Sequence, residues 1–111
     1  MFTVLKVGEE NYKLRLTIEN LIALEKVIGK NPVTLLYQMS RGLYPAVTDI
    51  IYVLHYSLQA LQHGIGFDNT VEIFERYLEN GGSTDEILKI FMDVFRNAGL
   101  MPRKDGEGKN V

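Results

Sequence analysis

The hydrophobic pattern near the N-terminus changes its period within a single residue. Tyr12, Leu14 and Leu16 alternate with polar Lys13 and Arg15, which is typical of a strand with one buried face. From residue 18 the apolar residues instead recur at helical spacing: Ile18, Leu21, Ile22, Leu24 and Ile28. The sequence therefore predicts a strand that leads directly into a helix.

Capping residues mark both ends of this first helix. Thr17 can accept a hydrogen bond from a free amide of the first turn. Gly29, followed by Asn31 and Pro32, is a typical signal for the end of a helix.

An earlier alternating segment predicts that the chain opens with a β-hairpin. Its strands are expected over residues 2–7 and 12–17, joined by a turn-forming link at 8–11. Two strands alone are marginal in water. The hairpin must therefore pack on the helices or pair its edges with another chain.

Four further helices follow in the sequence pattern. They are predicted over residues 32–40, 48–63 and 68–80, and from 83 to 98. The predicted N-caps are Thr48 or Asp49 for the third helix of the chain, Asp68 or Asn69 for the fourth, and a Ser83–Glu86 capping box for the fifth. The predicted fold class is mostly α (α+β): an N-terminal β-hairpin followed by about five short helices in one compact domain over residues 1–102, with 103–111 as a flexible polar tail.

Composition narrows the classes of function. The chain of 111 residues is 46% hydrophobic and 23% charged, as expected for a single globular domain. It has no cysteine, which excludes disulfides and thiolate sites. A net charge of −2 argues against nucleic acid as a partner. Because we find neither a signal peptide nor a spanning segment, we expect no membrane partner.

No catalytic or cofactor motif can be recognised. His55 and His63 lie two helical turns apart, too far for joint metal ligation. The glycines at 64 and 66 lack the third position of a dinucleotide fingerprint, and Gly108–Lys109 lacks the rest of a phosphate loop. We therefore expect a protein that is not an enzyme and has no cofactor or metal.

Glu25 is unusual because it falls inside the apolar arc of the first helix. One interpretation is a half-buried structural anchor, paired with Arg15, Arg41 or the free amides of another helix. The alternative is a slight rotation of the helix that leaves Glu25 in water at the rim.

The third predicted helix has almost no charge. Opposite its apolar side it presents Tyr52, Tyr56, Gln59 and His63, whereas a solvated face would normally be charged. Such a composition is typical of a partner-binding interface. A helix surrounded by others within one monomer predicts the same residues.

The fifth predicted helix has apolar residues around roughly 200° of its circumference, more than one buried face requires. Leu88, Met92 and Phe95 form the part that we expect to bind a partner, and methionine adapts well to an imperfect fit. The alternative is that the hairpin or the first helix covers this surface.

The order of several features follows a recognisable pattern over most of residues 12–100. They are the hairpin end Leu14–Thr17, Leu24 with Glu25, Gly29 with Asn31 and Pro32, Gly81–Gly82, and Gly99–Leu100. This pattern resembles the tail assembly chaperones of long-tailed bacteriophages and related prophages. The family has no catalytic residues to transfer to this chain.

The resemblance implies a small non-enzymatic protein in the cytoplasm of the bacterial host. Such chaperones bind the helical tape measure protein, keep it soluble and help to recruit the tail tube protein. We expect reversible binding of a helix in a groove by a homo-oligomer. The alternative is a structural tail or head-tail connector component that is retained in the virion.

Overall fold

The computed structural model describes residues 1–102 and confirms the predicted fold class. An antiparallel hairpin is followed by five helices in one compact domain. The elements are β1 (Thr3–Val7), β2 (Glu10–Leu14), α1 (Ile18–Ile28), α2 (Val33–Ser40), α3 (Val47–Leu58), α4 (Phe67–Glu79) and α5 (Thr84–Asn97). The predicted flexible tail, residues 103–111, lies outside the described residues.

The hairpin has a shorter turn than predicted. Val7 pairs directly with Glu10, so only Gly8 and Glu9 form the turn, and Gly8 takes a φ of 62° that suits glycine. β2 consequently begins two residues earlier than expected and ends at Leu14. The predicted strand over 12–17 is therefore wrong in its bounds, although Leu14 and Leu16 of its apolar face are buried.

Helix α3 lies at the centre of the core. It contacts β2, α1, α4 and α5, and the side chains of Ile50, Val53, Leu54 and Leu58 are fully buried. A helix with neighbours on several sides can do without a charged face. This explains the low charge of the segment.

The hairpin packs on the helices of its own chain. Leu5 and Val7 of β1 and Leu14 of β2 are buried in the same core. β1 contacts α4 and α5, whereas β2 contacts α3. Arg76 of α4 adds a polar link, since its Nη2 donates to the Tyr12 hydroxyl at 2.9 Å.

The capping signals of α1 are confirmed. Thr17 Oγ1 accepts from the Asn20 amide at 3.1 Å, and Gly29 ends the helix in the left-handed region with φ 74°.

Helices α3 and α4 begin at other residues than predicted. The N-cap of α3 is Ala46, and Asp49 instead forms an ion pair with Lys30 at 3.1 Å. The N-cap of α4 is Gly66, whose amide donates to Asn69 Oδ1 at 2.7 Å. Asn69, in the first turn of α4, therefore caps the backbone amide of Gly66, the residue that precedes the helix.

Only half of the predicted capping box forms at the start of α5. Ser83 Oγ accepts from the Glu86 amide at 3.1 Å. The Glu86 carboxylate, however, accepts from the Tyr77 hydroxyl at 2.8 Å. A tertiary hydrogen bond thus replaces the local one.

Helix α3 ends five residues earlier than predicted. Gln59 Nε2 donates to the carbonyls of His55 and Ile65, each at 3.0 Å, and Gln62 Nε2 donates to the Leu58 carbonyl at 2.8 Å. The Leu58 carbonyl is one that a longer helix would have bonded internally through the backbone amide of residue 62. The polar residues that seemed to continue the helix therefore end it.

Within residues 1–102, no helix combines the length and the apolar character needed to cross a membrane.

Candidate interaction surface

The predicted anchor at Glu25 is wrong. Glu25 is exposed, as are Arg15 and Arg41, and it forms no ion pair within residues 1–102. Helix α1 turns Leu21 and Leu24 inward, which leaves the adjacent stripe of Ile18, Ile22 and Glu25 in water. The alternative of a rotated helix describes this side chain correctly.

The tyrosines of α3 are half-buried in an aromatic cluster within the chain. Tyr52 lies 6.5 Å from Tyr56 and 4.8 Å from Phe67, measured between ring centroids. His55 meets Tyr56 edge-on at 5.0 Å and Phe67 at 5.7 Å. The first residue of α4 therefore covers part of this face, which favours the intramolecular interpretation of these residues.

Gln59 and His63 do not extend the tyrosine face as predicted. Gln59 directs its amide to backbone carbonyls at the end of α3, and exposed His63 lies beyond the helix. The expected four-residue stripe on one helix is therefore wrong.

His55 connects α3 to the start of α4. Its Nδ1 lies 3.0 Å from Thr70 Oγ1, and because the Thr70 hydroxyl donates to the Gly66 carbonyl, the arrangement suits a neutral ring that donates from Nδ1 to Thr70. Burial among aromatic rings lowers the pKa of His55.

The predicted contact surface on α5 is largely internal. Leu88 and Phe95 are 1% and 0% exposed, so neither is free for a partner, and the prediction is wrong for both. Met92 remains half-buried. Helices α2 and α3 together with β1 cover α5. The alternative that the hairpin or the first helix covers this surface is therefore correct only in part, because the hairpin is one of three elements that do so.

Two separate depressions lie beside α5, and we refer to the pair as the α5 groove. The first, of about 250 Å³, is lined mainly by apolar side chains, and the second, of about 430 Å³, is bounded by the connector between α2 and α3. The lining residues of the first are Leu36, Met39, Ser40, Leu88, Lys89 and Met92. Those of the second are Tyr44, Pro45, Val47, Ile50, Ser83, Thr84 and Asp85.

The two depressions follow each other along the same side of α5. Their α5 residues, 84–85, 88–89 and 92, repeat at a spacing of four, which places them on one face of the helix. From Thr84 to Met92 this face extends about 12 Å along the axis. The opposite wall is also continuous in the chain, from α2 through the connector to the start of α3. The two depressions are therefore placed in line along about two turns of α5, which is the order that the binding of a partner helix requires.

The sequence analysis missed the exposed apolar residues at the connector. Tyr44 and Val47 are 63% and 62% exposed and line the groove, and Tyr37 and Leu43 are exposed nearby in the chain. The available signal was the apolar pair Leu43–Tyr44 in a segment that we interpreted only as a connector. Large apolar side chains in a surface turn indicate an interaction site when they line a groove.

The groove has opposite charges along its length. Lys89 lines the first depression and Asp85 the second, and neither forms an ion pair within residues 1–102. The Asp85 carboxylate raises the pKa of the nearby Tyr44 phenol. A partner with the complementary order of charges would be oriented by these two residues.

In the described part of the chain, no three His, Cys, Asp or Glu side chains are arranged to hold a metal ion. The polar groups of the α5 groove are a lysine and a carboxylate at its rim together with hydroxyl groups. Such a set suits binding of a peptide surface.

Comparison with known proteins identifies a family for this chain. It belongs to the family described as "Family of unknown function (DUF6096)", and the match covers residues 2–110. No curated protein and no solved structure matches the chain.

Proposed function

We propose that this DUF6096 protein is a non-enzymatic phage tail assembly chaperone in the cytoplasm of the bacterial host. It binds an amphipathic helix of the tape measure protein in the α5 groove and assists assembly of the tail tube. Binding is reversible, and the chaperone leaves before the particle is complete.

The observation that carries the proposal is the exposed apolar wall of the α5 groove. Tyr44 and Val47 are exposed to water in one depression, and the half-buried Met39 and Met92 line the other. Burying apolar side chains stabilises a complex by roughly 25 cal/mol per Å². Met39 and Met92 allow the floor to adjust to different helix faces, which suits a chaperone that meets successive segments of a long partner.

The charges of the groove define the partner helix further. Its apolar stripe faces the floor, a basic residue lies near Asp85, and an acidic residue lies near Lys89, about one turn away along α5. A long helical tape measure protein offers many segments with this pattern.

Val47 offers a substitution that disturbs the groove without disturbing the fold. It is the first residue of α3 and exposed, and an acidic residue in the first turn of a helix is favourable. Val47→Glu should therefore leave stability nearly unchanged while it places a charge in the apolar wall. Val71→Glu is the matched control, because Val71 is exposed on α4 and does not line the groove.

The test is coexpression with the tape measure protein encoded in the same genome. Wild-type chain and Val71→Glu should keep that protein soluble and copurify with it, and Val47→Glu should reduce copurification by roughly tenfold. If the tape measure protein is equally soluble alone and never copurifies, the function is wrong. If Val47→Glu copurifies as well as the control, the groove is wrong.

Mass spectrometry of purified particles separates this proposal from the structural alternative. A chaperone should be absent from mature virions, whereas a retained tail or head-tail connector component should be present.

A further inference from the structure

The backbone groups of the hairpin point outward at alternate residues. Val7 pairs with Glu10 across the two-residue turn, so the pairs that bond to each other are Val7–Glu10 and Leu5–Tyr12, together with Thr3–Leu14. The peptide groups of Lys13, on β2, and of Val4 and Lys6, on β1, therefore point away from the partner strand. Each of the two strands has an outer edge that needs partners.

The outer edge of β2 is already covered by the chain itself. Gln62 holds Lys13 from both sides: its Oε1 accepts from the Lys13 amide at 2.7 Å, and its Nε2 donates to the Lys13 carbonyl at 3.0 Å. Further along, the Arg15 amide donates to the Ser57 carbonyl at 2.9 Å. A side chain and a helix end thus take the place of a third strand.

The outer edge of β1 has no such cover. Within residues 1–102, the peptide groups of Val4 and Lys6 make no hydrogen bond beyond the hairpin. Both residues line a groove of about 520 Å³ together with Gly8 of the turn. This volume is within the range of roughly 300–1,000 Å³ that is usual for binding clefts.

The opposite side of this groove is shaped by a glycine pair and a fixed aromatic ring. Gly81 and Gly82 join α4 to α5, and a Cβ on Gly82 would overlap the ring of Tyr77. Tyr77 is itself buried, and its hydroxyl donates to Glu86. Gly82 therefore lies directly against the Tyr77 ring, Gly81 adds no side chain, and Tyr77 with Asn80 completes the side of the groove that faces β1.

We propose that the outer edge of β1 binds an extended segment of another polypeptide as a third strand of the sheet. Val4 and Lys6 each provide one amide donor and one carbonyl acceptor, and these four groups pair with about three residues of the incoming strand. The inference is independent of the proposed function, since it rests on the hairpin and not on the α5 groove.

The residues around the outer edge of β1 indicate which side chains the bound segment carries. Lys6 is exposed and forms no ion pair within residues 1–102, so the segment carries an acidic side chain beside it. Ile90 and Val4 line the same groove, so the segment also carries an apolar residue. The edge is recessed between the glycine pair and α5, which favours a single extended strand over the edge of a second folded copy.

The test uses a display library of random nine-residue peptides selected against the whole protein. Peptides that are enriched should contain an acidic residue within an extended, β-branched sequence. Addition of the best peptide should slow hydrogen exchange at the Val4 and Lys6 amides at least about tenfold. Protection elsewhere, or no enriched peptide, would overturn the proposal.

Two variants at residue 4 sharpen the test. Val4→Pro removes the outward amide but keeps the hairpin bonds, and proline is tolerated on a strand edge. Val4→Thr keeps the amide and serves as the control. The selected peptide should bind Val4→Thr like wild type and Val4→Pro at least roughly tenfold more weakly. Equal binding to both folded variants would overturn the proposal.

Size-exclusion chromatography with light scattering tests the other possible occupant. A dimer that Val4→Pro converts to a monomer would mean that a second copy fills the edge, and this would overturn the proposal. If Val4→Pro fails to fold, the exchange experiment on the wild-type chain decides alone.

Discussion

His55 shows how one side chain makes stability depend on pH. Its ring lies among Tyr56 and Phe67, its Nδ1 is hydrogen-bonded to Thr70 Oγ1, and burial lowers its pKa. Protonation would place a charge in this aromatic cluster. The folded state therefore prefers the neutral ring.

The sign of the pH effect follows from the lowered pKa. Above pH about 6.5 the ring is neutral in both states and contributes no dependence on pH. As the pH falls further, the unfolded chain takes up the proton first, so the free energy of unfolding decreases until the folded pKa is passed. Below that pKa the loss is constant.

Replacing His55 should remove this part of the pH dependence. Urea unfolding at pH about 7.5 and about 5 should show a smaller loss of stability for His55→Gln than for the wild type. His63→Gln is the control, because His63 is exposed beyond α3, and it should behave like the wild type. An unchanged slope in His55→Gln would contradict the assignment.

At the scale of elements, Gln62 determines how the end of α3 meets the hairpin. One amide side chain bonds both peptide groups of Lys13 and the carbonyl of Leu58. It therefore joins a helix end to a strand edge that would otherwise be open to another chain.

Gln62→Ala should open this junction. Loss of three hydrogen bonds is expected to lower the free energy of unfolding by about 1–3 kcal/mol, and the Lys13 amide should exchange faster. Lys13→Ala is the control, since it removes a side chain but keeps the peptide groups that Gln62 binds. Hydrogen exchange followed by NMR measures both variants, and equal protection in both would contradict the role of Gln62.

At the scale of the whole molecule, a single core connects the hairpin to all five helices. Residues from β1, β2 and each helix belong to the same buried cluster around α3. A domain with one core should unfold in one cooperative step. The hairpin is therefore not expected to melt separately from the helices.

A substitution at the centre of the core tests this cooperativity. Leu54 is fully buried on α3, and Leu54→Ala should lower the free energy of unfolding by about 2–5 kcal/mol. The chain has no tryptophan, so tyrosine fluorescence and far-UV circular dichroism should be followed together, and both transitions should shift by the same amount. Val27→Ala, at an exposed position on α1, should change stability by less than about 0.5 kcal/mol. Separate transitions would contradict a single core.

Local signals in the sequence predicted much of the fold. Thr17, Gly29 and Ser83 act on amides or dihedral angles within a few residues, so their effects do not depend on distant parts of the chain. The order of hairpin and helices was predictable for the same reason. The end of α3 was not predictable, because the side-chain amides of Gln59 and Gln62 are compatible both with a continuing helix and with hydrogen bonds to the carbonyl groups at a helix end.

The candidate sites were predicted poorly, for a different physical reason. Helix α5 has more apolar residues than one buried face requires. Leu88 and Phe95 are buried because α2, α3 and β1 pack against the helix, and this packing cannot be read from the local sequence. Tyr44 and Val47 became a groove wall because α5 lies beside them, about 40 residues further along the chain.

The sequence alone determined which elements form, their order and most of their caps, because these depend on periodicity and on contacts between near neighbours. The tertiary structure decided which apolar side chains remain exposed and which strand edge remains unpaired. Gln62 covers Lys13 from 49 positions away, and no local pattern specifies such a contact. The surfaces that are available to partners are those that no such distant contact covers.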